Sequence, residues 1–236
     1  MHQRFQDRHD AGRQLATKLE RFANRADVLV LGLPRGGIVV ADEVAHALHL
    51  AIDVFVVRTL ASPFIGGRSI GAIASGGVCV LDAERIDTLH VSGATVERAV
   101  AGEHAALERV EGAYRGLRPT PDVLGRTILL VDQAFSSDGI ALAAVEALRQ
   151  ASPTAIVVAA PVAAPRALAR LRERADECVC VAESADAGNV RAWYEEAREP
   201  SDEEVRAVLD AAVRRHRGTH RPHSPTPVRA PHAPPA

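Results

Sequence analysis

The 236-residue chain predicts a doubly wound α/β domain, a parallel sheet with helices on both faces, together with a small hood and a disordered tail. Three observations predict it. Short apolar runs recur at residues 28–33, 52–57, 128–131, 154–160 and 177–181, and they are nearly continuous rather than alternating, as strands covered on both faces are. Between them, apolar residues return at helical spacing, which calls for parallel pairing through right-handed crossovers. Two runs also end on residues suited to ligand chemistry just before a helix: Pro34-Arg35-Gly36-Gly37 after the first, and Asp132 after the third.

The elements follow in order. A polar helix spans about residues 11–23. Strand 28–33 leads through Pro34-Arg35-Gly36-Gly37 into a helix marked by Ile38, Val39, Ala41, Val44, Ala45 and Leu48. Strand 52–57 closes on Arg58. Residues 59–77 are rich in Gly and Ser and read as a long loop or a mobile hairpin rather than core. A short strand at 78–81 precedes a helix over 92–114, whose wet face is supplied by Glu97, Arg98, Glu103, Glu108, Arg109 and Glu111. Strand 128–131 ends at Asp132 and passes through a small-residue loop, Ser136 to Gly139, into a helical pattern over 140–148. A strand at 154–160, a helix at 166–174 and a final strand at 177–181 complete the sheet. Ser201-Asp202-Glu203-Glu204 is a capping box opening an amphipathic helix to about residue 213. Residues 1–213 thus form one domain, in which the N-terminal segment and residues 183–213 make the hood. Residues 214–236 contain six Pro, five Arg and four His; such a segment cannot bury apolar surface and is expected to be disordered.

Composition excludes several classes. Apolar content is 47% and charged content 25%, ordinary for a folded domain, while aromatics are only 3%. So few rings, with Lys18 as the sole lysine, argue against a base-stacking nucleic-acid surface. Net charge is −2; the tail has five Arg and no acid, leaving −7 on residues 1–213. Cys79, Cys178 and Cys180 lie in strand-like runs without neighbours at metal spacing and read as buried thiols. No apolar stretch approaches the ~20 residues of a membrane span, and the N-terminus lacks a signal-peptide core. A reducing, cytoplasmic setting is expected.

Both strand ends suit a sugar phosphate. A carboxylate at a sheet edge beside free backbone N–H groups of a helix N-terminus can hold hydroxyls and a phosphate. Several motifs strengthen this: Asp7-Arg8-His9-Asp10-Ala11-Gly12, Gly32 to Gly37, Val56-Val57-Arg58, Ile70 to Ala74, Trp193-Tyr194, and Ser201 to Val205. In this order the chain resembles a type I phosphoribosyltransferase, more narrowly a small bacterial group of such proteins with unassigned substrate. The resemblance covers roughly residues 4–210. It implies displacement of pyrophosphate from C1 of phosphoribosyl pyrophosphate by a nucleophile, with Mg²⁺. It further implies that Pro34, Arg35, Gly36 and Gly37 wrap the pyrophosphate, and that Asp132 holds the ribose hydroxyls directly or through Mg²⁺. Ser136, Ser137, Asp138 and Gly139 would turn around the 5′-phosphate. Arg58 is an anion contact or else a surface ion pair with Asp53 or Glu43. Related folds often form homodimers. Trp193-Tyr194 reads as packing for the C-terminal helix rather than a stacking platform.

The signature Val-Asp-Asp-Gly-x-Ala-Thr-Gly-x-Thr is changed here without insertion or deletion. Gln133 replaces the second carboxylate, Asp138 stands at a Gly position, and Ile140 removes a hydroxyl. Two unit charges ~4 Å apart repel by roughly 4 kcal/mol at an effective dielectric of ~20, so Asp138 would oppose a phosphate, while it can also cap the helix itself. Two functions therefore stand side by side: a phosphoribosyltransferase with a weakened site, and a non-catalytic regulatory or binding module that keeps the fold and an anion site. The acceptor is not legible, because the hood has no diagnostic polar cluster.

Overall fold

A computed structural model describes residues 4–61, 69–136 and 139–219. Its elements are α1 (Arg8–Lys18), β1 (Val28–Gly32), α2 (Gly36–Leu48), β2 (Ala51–Val54), β3 (Val57–Ala61), β4 (Ser69–Ala74), β5 (Val78–Leu81), α3 (Ala83–Thr88), α4 (Gly93–Arg115), β6 (Thr127–Val131), α5 (Gly139–Gln150), β7 (Ala155–Ala163), α6 (Pro165–Arg172), β8 (Glu177–Glu183), α7 (Val190–Trp193) and α8 (Asp202–Thr219). The main sheet has the order β2-β1-β6-β7-β8 with every pair parallel. A smaller antiparallel sheet runs β3-β4-β5. This is the mixed α/β architecture expected of a type I phosphoribosyltransferase-like fold.

The buried strands divide their side chains with period two, as the pleat requires. Val28, Val30, Leu129, Val131 and Val157 pack on Leu15 of α1, on Leu19 just past its end, and on Val40 and Val44 of α2. Leu29, Leu31, Ile128, Leu130, Ile156 and Val158 face Ala144, Val145, Leu148, Leu168 and Leu171 of α5 and α6. A third cluster joins the small sheet, α4 and α8 through Val54, Leu60, Ile70, Ile73, Leu107, Tyr114 and Leu209. Gly12 lets α1 lie close on α2; a methyl group there would meet Glu43 Cβ at 2.6 Å and the Val40 carbonyl oxygen at 2.8 Å.

The topology sets apart one edge of the sheet. The chain leaves β1 toward β2 on one side, and the later strand β6 adds to the other side of β1. The loops after β1 and β6 thus diverge at a topological switch point, where open α/β sheets bind ligands.

Four expectations need correction. The apolar run at 52–57 is not one strand: after Val54 the chain leaves the main sheet, and Val57 begins β3, whose antiparallel partner is β4. The Gly-rich stretch contains core, because β4 puts Ile70 and Ile73 at 0% and 1% exposure; of the two readings, loop or hairpin, the antiparallel pairing of β3 with β4 agrees with the hairpin, and residues 62–68 lie outside the described residues. Cys79, Cys178 and Cys180 are free and half-buried rather than fully buried. The last helix continues six residues past 213, to Thr219, and Arg215 pairs with Asp42 of α2. The remainder of the tail lies outside the described residues. Among those described, no helix is long and apolar enough to cross a membrane.

Candidate functional site

The β1–α2 turn supplies the first wall. Arg35 precedes the first residue of α2, and the Pro34–Arg35 peptide is cis. Gly36 and Gly37 open the helix and are buried. Main chain confines Gly37, whereas Gly36 is confined by the ends of the Gln133 and Arg8 side chains. A methyl group on Gly37 would lie 2.8 Å from Asp132 Oδ1 and 3.1 Å from the Val131 carbonyl oxygen. One on Gly36 would lie 2.1 Å from Gln133 Oε1. The two sequence-predicted loops therefore meet, main chain against side chain, at the C-terminal edge of β1 and β6.

Asp132 follows β6, and its Oδ1 accepts the Gln133 N–H at 2.7 Å. The residue keeps some solvent exposure, yet surrounding atoms crowd the carboxylate itself. That desolvation raises its pKa from 3.8 to about 7, against which the Gln133 hydrogen bond and the charge of Arg8 work. Past Ala134, Phe135 makes a single parallel bridge to Ala163 before the chain turns toward α5. Ser136 is partly buried beside Gly188. Ser137 and Asp138 lie outside the described residues; Gly139 is the first residue of α5.

The hood closes the other side. Arg35 faces two of its acids, with Nε 3.3 Å from Asp202 Oδ1 and Nη1 3.8 Å from Glu199 Oε2. The Tyr114 hydroxyl donates to the same Asp202 Oδ1 at 2.7 Å, and burial followed by that carboxylate pushes the phenol up to about 12. Arg35 is held more firmly protonated by the Tyr114 oxygen and then by Asp202 and Glu199. Asp202 begins α8 beneath a complete capping box: Glu204 N–H donates to Ser201 Oγ at 3.2 Å, and Ser201 N–H to Glu204 Oε2 at 2.7 Å. Arg58 pairs with Glu103 of α4, not with Asp53 or Glu43. Asp53 instead binds buried Arg115, and Glu43 binds His9.

A cavity of about 380 Å³ gathers these pieces, lined by Pro34, Arg35, Arg58, Tyr114, Asp132 and Ser136 among others. Larger depressions of about 600 and 760 Å³ lie along α3 and between the small sheet and α5. Neither contains the Pro34 turn or Asp132.

Sequence reasoning missed the groups behind the loops. Arg8 is 6% exposed, and its Nε donates to Gln133 Oε1 at 2.7 Å. Its guanidinium lies 5.5 Å from the centroid of the Tyr194 ring. Tyr194, fully buried, donates its hydroxyl to the Gln133 carbonyl oxygen at 2.7 Å. The Trp193-Tyr194 pair is packing rather than a platform, but its partner is Phe5 as well as the core. The signal was present in Asp7-Arg8 and Trp193-Tyr194, both among the motifs, yet neither motif indicated that they converge on Gln133.

Comparison with known proteins agrees with this geometry. The family described as phosphoribosyl transferase domain matches residues 3–196. Two Mycobacterium tuberculosis proteins, each named "Putative phosphoribosyl transferase", are 38% identical over 210 residues, 89% of this chain and 47% of theirs. The chain thus spans about half the length of the curated relatives it matches. The crystal structure of TT1426 from Thermus thermophilus superposes with a TM-score of 0.77 at 38% identity, covering 88% of this chain and 98% of that one. With its fold, its loop positions and these matches in accord, the chain belongs to the phosphoribosyl transferase domain family.

Proposed function

We propose that this domain binds phosphoribosyl pyrophosphate in the 380 Å³ cavity and transfers the phosphoribosyl group to a nucleophile. The observation that carries the proposal is the convergence of the Pro34 to Gly37 turn on Asp132 at the switch point of the sheet. Backbone N–H groups at the start of α2 suit the pyrophosphate, and Arg35 adds a fork of charged donors. Asp132 suits the ribose hydroxyls. The resemblance would assign the 5′-phosphate to Ser136 and Gly139 together with Ser137 and Asp138, the last two outside the described residues, and Arg58 stands at the cavity wall. Catalysis of such a reaction comes mostly from positioning and from neutralising the leaving group.

Among the described residues no three His, Cys, Asp or Glu side chains converge on a metal. Asp132 alone fits a Mg²⁺ ion that arrives with the substrate's phosphates, since Mg²⁺ keeps most of its waters and takes one or two carboxylates. Such an ion would neutralise the departing pyrophosphate. Three free thiols fit a reducing, cytoplasmic compartment.

Calorimetry with phosphoribosyl pyrophosphate and Mg²⁺ tests binding, and pyrophosphate release with a panel of bases and amines tests turnover. No heat at millimolar ligand rejects the proposal. Binding without release from any acceptor favours the second reading, a non-catalytic anion-binding module. One observation favours that second reading: Arg35 is already engaged by Glu199 and Asp202.

A further inference from the structure

Among the described residues, Arg8 is a buried cation with no carboxylate in hydrogen-bonding contact. Its partners are the Gln133 side-chain oxygen, the Arg198 carbonyl oxygen at 2.6 Å and the face of Tyr194. The acids that influence it, Glu199 and Asp132, act through space rather than through a hydrogen bond. An isolated charge held this way is expensive unless something compensates it. Its position suggests what does. A methyl group on Gly36 would lie 2.6 Å from Arg8 Nε and 2.1 Å from Gln133 Oε1, so the Arg8–Gln133 pair sits directly behind the first glycine of the candidate pyrophosphate turn. Tyr194 fixes the Gln133 main chain from the far side.

This arrangement gives Gln133 a purpose that a lost carboxylate does not. An acid at position 133 would pair with Arg8 and cancel its charge beside the turn. A neutral amide also accepts from the guanidinium, and it adds no negative charge to those of Asp132 and Glu199 nearby. We propose that Arg8 is a positioning residue for the pyrophosphate turn, and that Gln133 is the neutral coupler which keeps its positive charge available to an anion bound at Gly36 and Gly37. The inference rests on the reading of that turn as a pyrophosphate site.

The test is calorimetric titration of inorganic pyrophosphate, with metal chelated, into the full chain and its variants, alongside thermal melts. Gln133→Glu should weaken pyrophosphate binding at least tenfold, because its one added negative charge offsets Arg8 beside the turn. Its melting temperature should stay level or rise, since the new carboxylate pairs with Arg8. Gln133→Met removes the hydrogen bond and keeps the charge balance, so it should lower the melting temperature and weaken pyrophosphate binding less than Gln133→Glu does. Arg8→Gln should lose affinity tenfold and Arg8→Lys recover most of it. Should Arg8→Gln not fold, the Gln133→Glu result decides alone. Wild-type affinity in Gln133→Glu overturns the inference and leaves only a structural brace. Absence of pyrophosphate binding by wild type at millimolar concentration overturns the site itself, a different and separable failure.

Discussion

Replacing Asp132 by Asn should stabilise the domain, and by more as the pH rises. The carboxyl is pushed from 3.8 to about 7 because packing strips it of water, a loss only partly offset by the Gln133 N–H and by Arg8. Between those two values the folded state holds a proton that the unfolded chain has released. Where the native state binds more protons, stability declines with increasing pH. The gap from 3.8 to about 7 corresponds to about 4 kcal/mol once the pH exceeds both. Asn does not titrate, and its side-chain oxygen can still accept the Gln133 N–H. The stability difference, variant minus wild type, should therefore be small near about pH 4, grow through the interval, and level off near about 4 kcal/mol above about pH 8. Urea unfolding followed by the fluorescence of Trp193, the one tryptophan, measures it at each pH. Other groups titrate in both proteins and cancel in the difference. A difference that is flat with pH would falsify the claim that Asp132 is held protonated by burial.

Gly37→Ala should cost about 1–3 kcal/mol, because the added methyl meets the Asp132 main chain at 3.0 Å as well as its side chain at 2.8 Å; denaturation midpoints report the loss, and an unchanged midpoint rules out the close approach. Ser75→Ala removes the oxygen that accepts the buried Val56 N–H at 2.9 Å and should destabilise by about 1–3 kcal/mol, read as a lower melting temperature. Asp202→Asn loosens the hold on Arg35, and since exposed ion pairs are worth about 0–1 kcal/mol, pyrophosphate should bind up to about fivefold tighter. Weaker binding in that variant would mean that Asp202 assists the anion rather than competing with it.

Much of the main sheet was legible because β1, β6 and β7 are apolar at nearly every position and each is followed by a helix. The capping box at Ser201 was legible because its two hydrogen bonds join residues three apart. What failed was discrimination between neighbours of equal hydropathy. Nothing in the apolar residues that follow Asp53 distinguishes Val54 from Val57, although they belong to different sheets. Composition hid β4, where small residues surround two buried isoleucines. In the site, the turns at Pro34 and Asp132 announced themselves through local residue types. Arg8 and Tyr194 did not, because their contacts with Gln133 span 125 and 61 residues, and no periodicity encodes a partner that distant. Gln133 itself looked like a deficit until the guanidinium behind it was visible.

The seam between the two ends of the domain also dictates a timetable. Phe5 N–H donates to the Trp193 carbonyl at 2.9 Å, Glu195 N–H to the Phe5 carbonyl at 3.0 Å, and Arg8 reaches the carbonyl of Arg198. Residues at the beginning of the fold thus wait for those near its end before the backing of Gln133 exists. During synthesis every strand of the sheet emerges before residue 193 does, so the framework can consolidate while the pocket is still open at the rear. A seam near the ends of the fold, held by a few backbone hydrogen bonds, is expected to open before the buried sheet does. Refolding monitored by exchange of backbone amides should therefore see the strands protected well ahead of Glu195 and Glu196, with ligand recognition arriving only when that last stitch closes.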